Sequence, residues 1–278
     1  MIEQVGFVGV GNQGGPIAMR IARAGIPLHV WARRPEVLGE YTAAGATAAA
    51  SLADLGERSD LVAVCVTSDA DVRAVVLGSG GLLGAMRSGS SLAVHSTVHP
   101  NLVRELAEVA AEGGVTVLDA PVSGGHAGAV AGTMAVLVGG DPAVLERWMP
   151  VMDTYAKTVE LLGPVGAGQT TKLLNNALSA SNLAASVRAV AAAEQLGLNR
   201  DAFRRCVQGS SGDSFMLRAS SMMDVAGAGL AAARYRKDID LFHEFVDATG
   251  IPDGAQLAKT AEDAVRHLEG LVPPGAAT

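Results

Sequence analysis

Three stretches of this chain combine residue types with spacings that suggest chemistry. The first is Val5-Gly-Phe-Val-Gly-Val-Gly-Asn-Gln-Gly14, an apolar run that enters Gly9-x-Gly11-x-x-Gly14, carries Asn12 and Gln13 before the last glycine, and continues into PIAMRIARAG at helical spacing. Between a strand and a helix, such a pattern suits a dinucleotide: the first glycine allows a tight turn, the second lets backbone approach the pyrophosphate, and the third lets helix and strand pack. The N–H groups at the helix start then receive the anion. An NAD site would add an acid at the end of the second strand to bind the ribose 2′-hydroxyl. The sequence there reads Val30-Trp31-Ala32-Arg33-Arg34. Ala32 offers no acceptor and Arg33 suits a 2′-phosphate, so NADP is the expected cofactor with NAD as the alternative; the competing reading makes Arg33 and Arg34 a solvated helix start.

The second stretch is Ser123-Gly124-Gly125. Consecutive N–H groups on a glycine pair, beside a serine hydroxyl, form a nest that suits a carboxylate, although a plain glycine turn uses the same residues. The third is Lys172, with Asn176 four residues on and Ser179 one turn further. Helical spacing sets the ammonium beside a carboxamide that can orient either the lysine or a substrate oxygen. Lys172 is one of four lysines and has mostly small or apolar neighbours, whereas lysines more commonly snorkel to solvent.

The elements that must position these groups are legible as short apolar runs: Val5 to Val8, Leu28 to Trp31, Leu61 to Val66, Ser91 to His95, Val115 to Leu118, Met134 to Val138 and Thr158 to Leu161. Amphipathic stretches separate most of them, which predicts an α/β, Rossmann-type doubly wound domain with a mostly parallel sheet. Pro35, Ser51, Ser68 and Asp141-Pro142 supply helix starts. After Gly163-Pro164 the pattern becomes all-α: Gln169 to Leu196 is a long Ala- and Leu-rich segment, later helices begin after Asn199 and Asp213-Ser214, and Gly250-Ile-Pro-Asp-Gly254 breaks another near Thr249. The expected domains are therefore 1–164 and 165–278, with a frayed tail at LVPPGAAT. Thr97, in His95-Ser-Thr-Val-His-Pro100, and Thr67 follow apolar runs at the sheet edge where ligands bind in open α/β folds. Thr67 is a ribose contact through backbone or hydroxyl, or else it or Ser68 caps a helix. Lys237 closes the cationic cluster Arg234-x-Arg236-Lys237 before Asp238, a pattern also used by solvated helix faces.

Composition narrows the function classes. The 278 residues are 49% hydrophobic, 4% aromatic and 18% charged, with 34 glycines and a formal charge of −7, which describes a globular chain and argues against nucleic acid as a partner. Cys65, in LVAVCV, and Cys206, in FRRCV, stand where small hydrophobes would serve, and two cysteines make no disulfide framework; a reduced, cytoplasmic compartment is expected. No secretory signal or membrane span is read. His29, His99, His243 and His267 lack ligand spacing, so no metal is expected. A helix of nearly 30 residues spans about 40 Å, more than a small domain covers, so a homodimer or homotetramer is expected.

In order along the chain, Gly9 to Gly14, Asp119-Ala-Pro-Val-Ser-Gly-Gly125, Gly166-Ala-Gly-Gln-Thr-Thr-Lys-Leu-Leu-Asn-Asn176 and Lys237-Asp238 resemble the motifs of the β-hydroxyacid dehydrogenases. That family includes 3-hydroxyisobutyrate dehydrogenase and tartronate semialdehyde reductase, and more distantly 6-phosphogluconate dehydrogenase. The resemblance implies NADP-dependent interconversion of a small 3-hydroxy acid and its semialdehyde or keto form. It makes Lys172 the proton donor and acceptor, gives Ser123, Gly124 and Gly125 the substrate's acid group, and puts Thr97 and Lys237 near the nicotinamide. Two positions stand apart: Phe215 replaces a tryptophan common in relatives, and His126, at a variable position, is expected to face solvent. The rival readings are an imine reductase of the same superfamily, which usually has another residue at the catalytic lysine, and a non-catalytic NADPH-binding protein, which would not need Lys172.

Overall fold

In the computed structural model, residues 3–220 and 225–271 are described. The tail beyond Leu271, expected to fray, and positions 221–224 in the helical stretch after Ser214 lie outside them. The chain divides into two compact units, residues 1–172 and 173–278.

Among the described residues, the first unit holds nine strands: β1 (Val5–Val8), β2 (Leu28–Trp31), β3 (Thr47–Ala48), β4 (Leu61–Val64), β5 (Ser91–Val94), β6 (Thr116–Asp119), β7 (Val122–Ser123), β8 (Met134–Gly139) and β9 (Ala156–Gly163). Between them run α1 (Gly14–Arg23), a 3₁₀ turn at Pro35–Leu38, α2 (Gly39–Ala43), α3 (Leu52–Arg58), α4 (Asp69–Leu77), α5 (Pro100–Glu112), α6 (Gly125–Ala131) and α7 (Pro142–Met152). The sheet order is β3-β2-β1-β4-β5-β6-β8-β7, with β9 on β8. From β3 to β6 every pairing is parallel, as the alternation of strands and helices predicts. β8 then runs antiparallel to β6 and β7, and β9 parallel to β8. β1, β4 and β5 are buried throughout, which is why they read as unbroken apolar runs rather than alternating ones.

Local signals set the helix starts. Ser51 Oγ accepts from Asp54 N at 3.0 Å, Ser68 Oγ from Asp71 N at 3.1 Å, and Asp141 Oδ1 from Ala143 N at 2.7 Å. Helices cover both sheet faces. One core centres on Phe7, Ile17, Ile21, Trp148 and Tyr155, the other on Val62, Val64, Leu92, Leu102 and Leu106. Under β5, His95 bonds the Ala120 carbonyl through Nδ1 at 2.8 Å and Tyr155 Oη through Nε2 at 3.0 Å. Burial lowers its pKa to about 4, so it stays neutral, with Nδ1–H donating and Nε2 accepting the phenol proton.

Helix α8 (Ala167–Gln195) leads from the first unit into the second, which continues with α9 (Arg200–Gln208), α10 (Phe215–Ser220), α11 (Val225–Thr249) and α12 (Pro252–Glu269). Asn199 Oδ1 accepts from Ala202 N at 2.9 Å and Ser214 Oγ from Leu217 N at 3.0 Å, the caps the sequence predicts. Leu173, Leu183, Phe242, Val246 and Val265 pack among alanines of α8, α11 and α12, whose small side chains let the helices approach closely. Cys206 is exposed, contrary to its apolar pattern, because α9 buries none of its residues. No helix among the described residues is long and apolar enough to cross a membrane.

Leu178, Leu196, Leu198, Phe215 and Ile251 are each more than half exposed on this unit. Apolar exposure on that scale is expected to be covered by a second copy of the chain. Sedimentation at micromolar concentration should therefore give a homodimer or homotetramer, and a clean monomer would overturn this expectation.

Candidate functional site

The glycine loop follows β1, where the chain order reverses between β1 and β4, the crevice in which open α/β sheets bind ligands. Gly9 has φ +98°, and a Cβ there would lie 2.1 Å from the Cys65 carbonyl oxygen. A Cβ on Gly14 would lie 2.0 Å from the Gly9 carbonyl oxygen, so both positions require glycine for packing. Gly11 is different: a Cβ there would meet nothing within 4 Å, which leaves its backbone open to an approaching group. The first turn of α1 carries no acidic residue that would repel an anion, and Gln13, at its N-cap, makes no side-chain cap bond. Asn12 is exposed. This loop fits a dinucleotide phosphate.

A groove of about 350 Å³ gathers Gly9, Gly11, Ala32, Arg33, Thr67 and Asp71. The cap of α4 is Ser68, which leaves Thr67 exposed in the groove. Asp71 also lines this groove, though no motif along the chain singles it out. Its Oδ1 lies 3.7 Å from Arg33 Nη1, and its Oδ2 accepts from Ser68 Oγ at 2.7 Å. An acid from α4 thus stands beside Arg33, and its place in Ser68-x-x-Asp71 marks only the start of that helix.

Ser123 ends β7, which pairs with β8 through Val122↔Val136 and Ser123↔Ala135. Gly124 and Gly125 follow with φ +135° and +62°, conformations that side chains other than glycine's rarely adopt. Ser123 is half-buried and both glycines are exposed. His126 is exposed as expected, yet it does not simply face solvent: its Nδ1 lies 2.7 Å from the Asn12 carbonyl oxygen.

Lys172 is only 7% exposed, near the start of α8. That start is fixed by Asp119, the last residue of β6, whose Oδ1 accepts from Gly166 N and whose Oδ2 accepts from Gln169 N, each at 2.7 Å. Burial pushes the Asp119 carboxyl up to about 6, against the downward pull of those two bonds. Gly139 and Gly168 make the space: a Cβ on the first would lie 2.3 Å from Asp119 Oδ1, and on the second 2.2 Å from the Leu137 carbonyl oxygen. The fully buried Gln169 then donates from Nε2 to the Ser96 carbonyl at 2.8 Å and accepts from Val98 N at 3.0 Å, bracketing Thr97. Ser96 Oγ in turn accepts from Val66 N at 2.8 Å. The ends of β4, β5 and β6 are thereby linked to the turn that carries Lys172. Asp119 and Gln169 stand inside the quoted motifs, but nothing in their spacing reveals these long-range bonds.

In the helical unit, Asn176 is buried and donates from Nδ2 to Asp238 Oδ2 at 2.6 Å, while Lys237 Nζ lies 3.2 Å from Asp238 Oδ1. Asn176 and Lys237 therefore meet at one carboxylate. Ser179 shares a 2.6 Å hydrogen bond with the Tyr235 hydroxyl. Among the described residues, no group of three or more His, Cys, Asp or Glu side chains is placed to hold a metal.

Residues 4–163 match the family described as the NAD binding domain of 6-phosphogluconate dehydrogenase, and residues 166–271 the one described as NAD-binding of NADP-dependent 3-hydroxyisobutyrate dehydrogenase. The chain is 31% identical over 254 residues to 2-(hydroxymethyl)glutarate dehydrogenase of Eubacterium barkeri, covering 90% of this chain and 84% of that one. It is 32% identical over 259 residues to NAD-dependent L-serine dehydrogenase of Pseudomonas aeruginosa, covering 89% and 87%. Among solved structures, Mycobacterium tuberculosis 3-hydroxyisobutyrate dehydrogenase with L-serine superposes with a TM-score of 0.82 at 29% identity, covering 97% of this chain and 96% of that one.

Removing the Asp119 carboxylate strands two buried N–H groups at a helix start. Asp119→Ala is expected to cost about 2–4 kcal/mol in a denaturant titration, and Asp119→Asn, which keeps one acceptor, distinctly less. An alanine variant as stable as the wild type would show that the cap does not hold α8.

Proposed function

Because the chain belongs to the β-hydroxyacid dehydrogenase family and is an oxidoreductase acting on CH–OH groups with a nicotinamide cofactor, we propose that it interconverts a small 3-hydroxy acid and its semialdehyde or keto form with NADP(H). The observation that carries this reading is a lysine buried on a helix turn tied to three strand ends beside the glycine loop's sheet edge. Both acids named in the relatives carry a hydroxymethyl group on the carbon that bears the carboxylate, which supports a 3-hydroxy acid as the substrate class.

Residues 1–164 form the cofactor part in this proposal, and 165–278 the helical part. Gly9, Gly11, Asn12, Gln13 and Gly14 hold the pyrophosphate through backbone N–H groups. Arg33 takes the 2′-phosphate, Thr67 lies along the ribose, and Thr97 and Lys237 serve the nicotinamide end. The bound nicotinamide supplies or accepts the hydride. Ser123 Oγ and the N–H groups of Gly124 and Gly125 bind the substrate carboxylate. Lys172 donates a proton to the carbonyl oxygen during reduction and removes one from the hydroxyl during oxidation. Asn176, held by Asp238, orients the lysine or the reacting oxygen.

Arg33 already has a carboxylate neighbour, but its side chain is 81% exposed, and an exposed pair at 3.7 Å is readily exchanged for a phosphate. Arg33→Ala should raise the KM for NADPH while changing that for NADH little. Equal loss with both cofactors, or a wild-type preference for NADH, would show that Arg33 does not select the cofactor.

Oxidation needs a base at the hydroxyl and reduction an acid at the carbonyl oxygen, and Lys172 serves as both. Lys172→Ala is expected to abolish turnover in both directions with NADPH binding nearly intact, because the glycine loop holds the phosphates. Lys172→Arg is also expected to be nearly inactive, since a guanidinium stays charged and cannot act as the base. A screen of C3 to C6 hydroxy acids and semialdehydes, read at the nicotinamide absorbance with both cofactors, tests the reading as a whole. Turnover retained in either variant would move the proton transfer to another group.

A further inference from the structure

Helix α6 begins at the Ser123-Gly124-Gly125 turn and packs along α1, which begins at the glycine loop. Two side-chain hydrogen bonds tie α6 to α1 and to the loop before it. At the far end of α6, Arg20 of α1 donates from Nη1 to the Val130 carbonyl at 3.0 Å and from Nε to the Thr154 carbonyl at 2.6 Å. The guanidinium lies against Gly132, the left-handed C-cap of α6, where a Cβ would come within 2.3 Å of Arg20 Nη2. At the near end the tie is a single hydrogen bond, His126 Nδ1 to the Asn12 carbonyl oxygen at 2.7 Å.

We propose that His126 is a positioning residue that couples dinucleotide binding to carboxylate binding, by tying the Gly124–Gly125 turn to the Asn12 carbonyl of the glycine loop. The inference rests on the proposed roles of those two loops. Its physical basis is the trans peptide between Asn12 and Gln13. With the Asn12 carbonyl held toward His126, the Gln13 N–H points the opposite way, so the peptide plane at the loop cannot turn without breaking the bond to the histidine. A phosphate that orders this peptide orders His126, and His126 adjoins the glycine pair that offers N–H groups to the acid. Because Arg20 anchors the other end of α6, movement of the glycine turn is concentrated at the histidine end. The acceptor is a carbonyl, so His126 must carry its proton on Nδ1, and an asparagine, whose Nδ2 falls near the place of Nδ1, can make the same bond.

The test uses the full chain and a pair of ligands that cannot react, NADPH with 3-hydroxyisobutyrate, both being reduced. Calorimetric titration gives the Kd of NADPH with and without the acid. In the wild type the acid is expected to tighten NADPH binding about fivefold or more, within the usual range of coupling between sites. His126→Ala is expected to abolish that coupling while NADPH alone binds with a similar Kd, and His126→Asn to restore it. The same coupling in His126→Ala as in the wild type overturns the inference, as does a wild type that binds both ligands without coupling. Failure of the wild type to bind NADPH at all would instead overturn the proposed function, and the inference with it. His126 is exposed, so an unchanged melting temperature in both variants separates lost coupling from lost folding.

Discussion

The carboxylate of Asp119, buried where β6 ends, is the constraint on which the candidate site depends. Helix starts leave N–H groups without intrahelical partners and carry the positive end of the helix dipole, and a carboxylate answers both. Asp119 meets the amides of Gly166 and Gln169 at the start of α8. Once those amides are placed, the regular rise and rotation of the helix place Lys172 one turn later. The side chain of Gln169 extends the anchor to Ser96 and Val98, so the segment around Thr97 and the turn around Lys172 are held in one hydrogen-bonded frame. Two glycines are needed for this closeness, because side chains at Gly139 or Gly168 would occupy the space of the carboxylate or of the Leu137 carbonyl.

The glycine loop applies the same economy of space to a different end. Gly9 and Gly14 are glycines because backbone just after β4 and from the loop itself crowds them, whereas Gly11 is open on the side where a Cβ would project. Packing and access are thus assigned to different positions of one motif. The adjoining groove carries Arg33, Arg34 and one acid, Asp71. Arg33 has Asp71 near it, and an exposed pair of this kind contributes little to stability.

Much of the architecture was legible along the chain because its signals are local. Apolar runs marked β1, β2, β4, β5, β6, β8 and β9, and Ser51, Ser68, Asp141, Asn199 and Ser214 cap the helices they precede. β3 and β7 leave no such signal, since two residues show no period. Cys206 is exposed despite its apolar pattern, because such a pattern on a short helix does not say whether anything covers it.

Along the chain alone one can read the order of seven of the strands, the change to an all-helical region after Pro164, and the candidate groups at Gly9 to Gly14, Ser123 to Gly125 and Lys172 to Asn176. Each of these is encoded within a few residues, through periodicity, capping or the freedom of glycine. Folding alone brings Asp119 to the start of α8, Gln169 to either side of Thr97, Asp71 beside Arg33, Asp238 to Asn176 and His126 to Asn12. Gln169 bonds Ser96 across 73 positions and His126 bonds Asn12 across 114. Contacts at such separations follow from sheet order and helix packing, and no local pattern of residues records them.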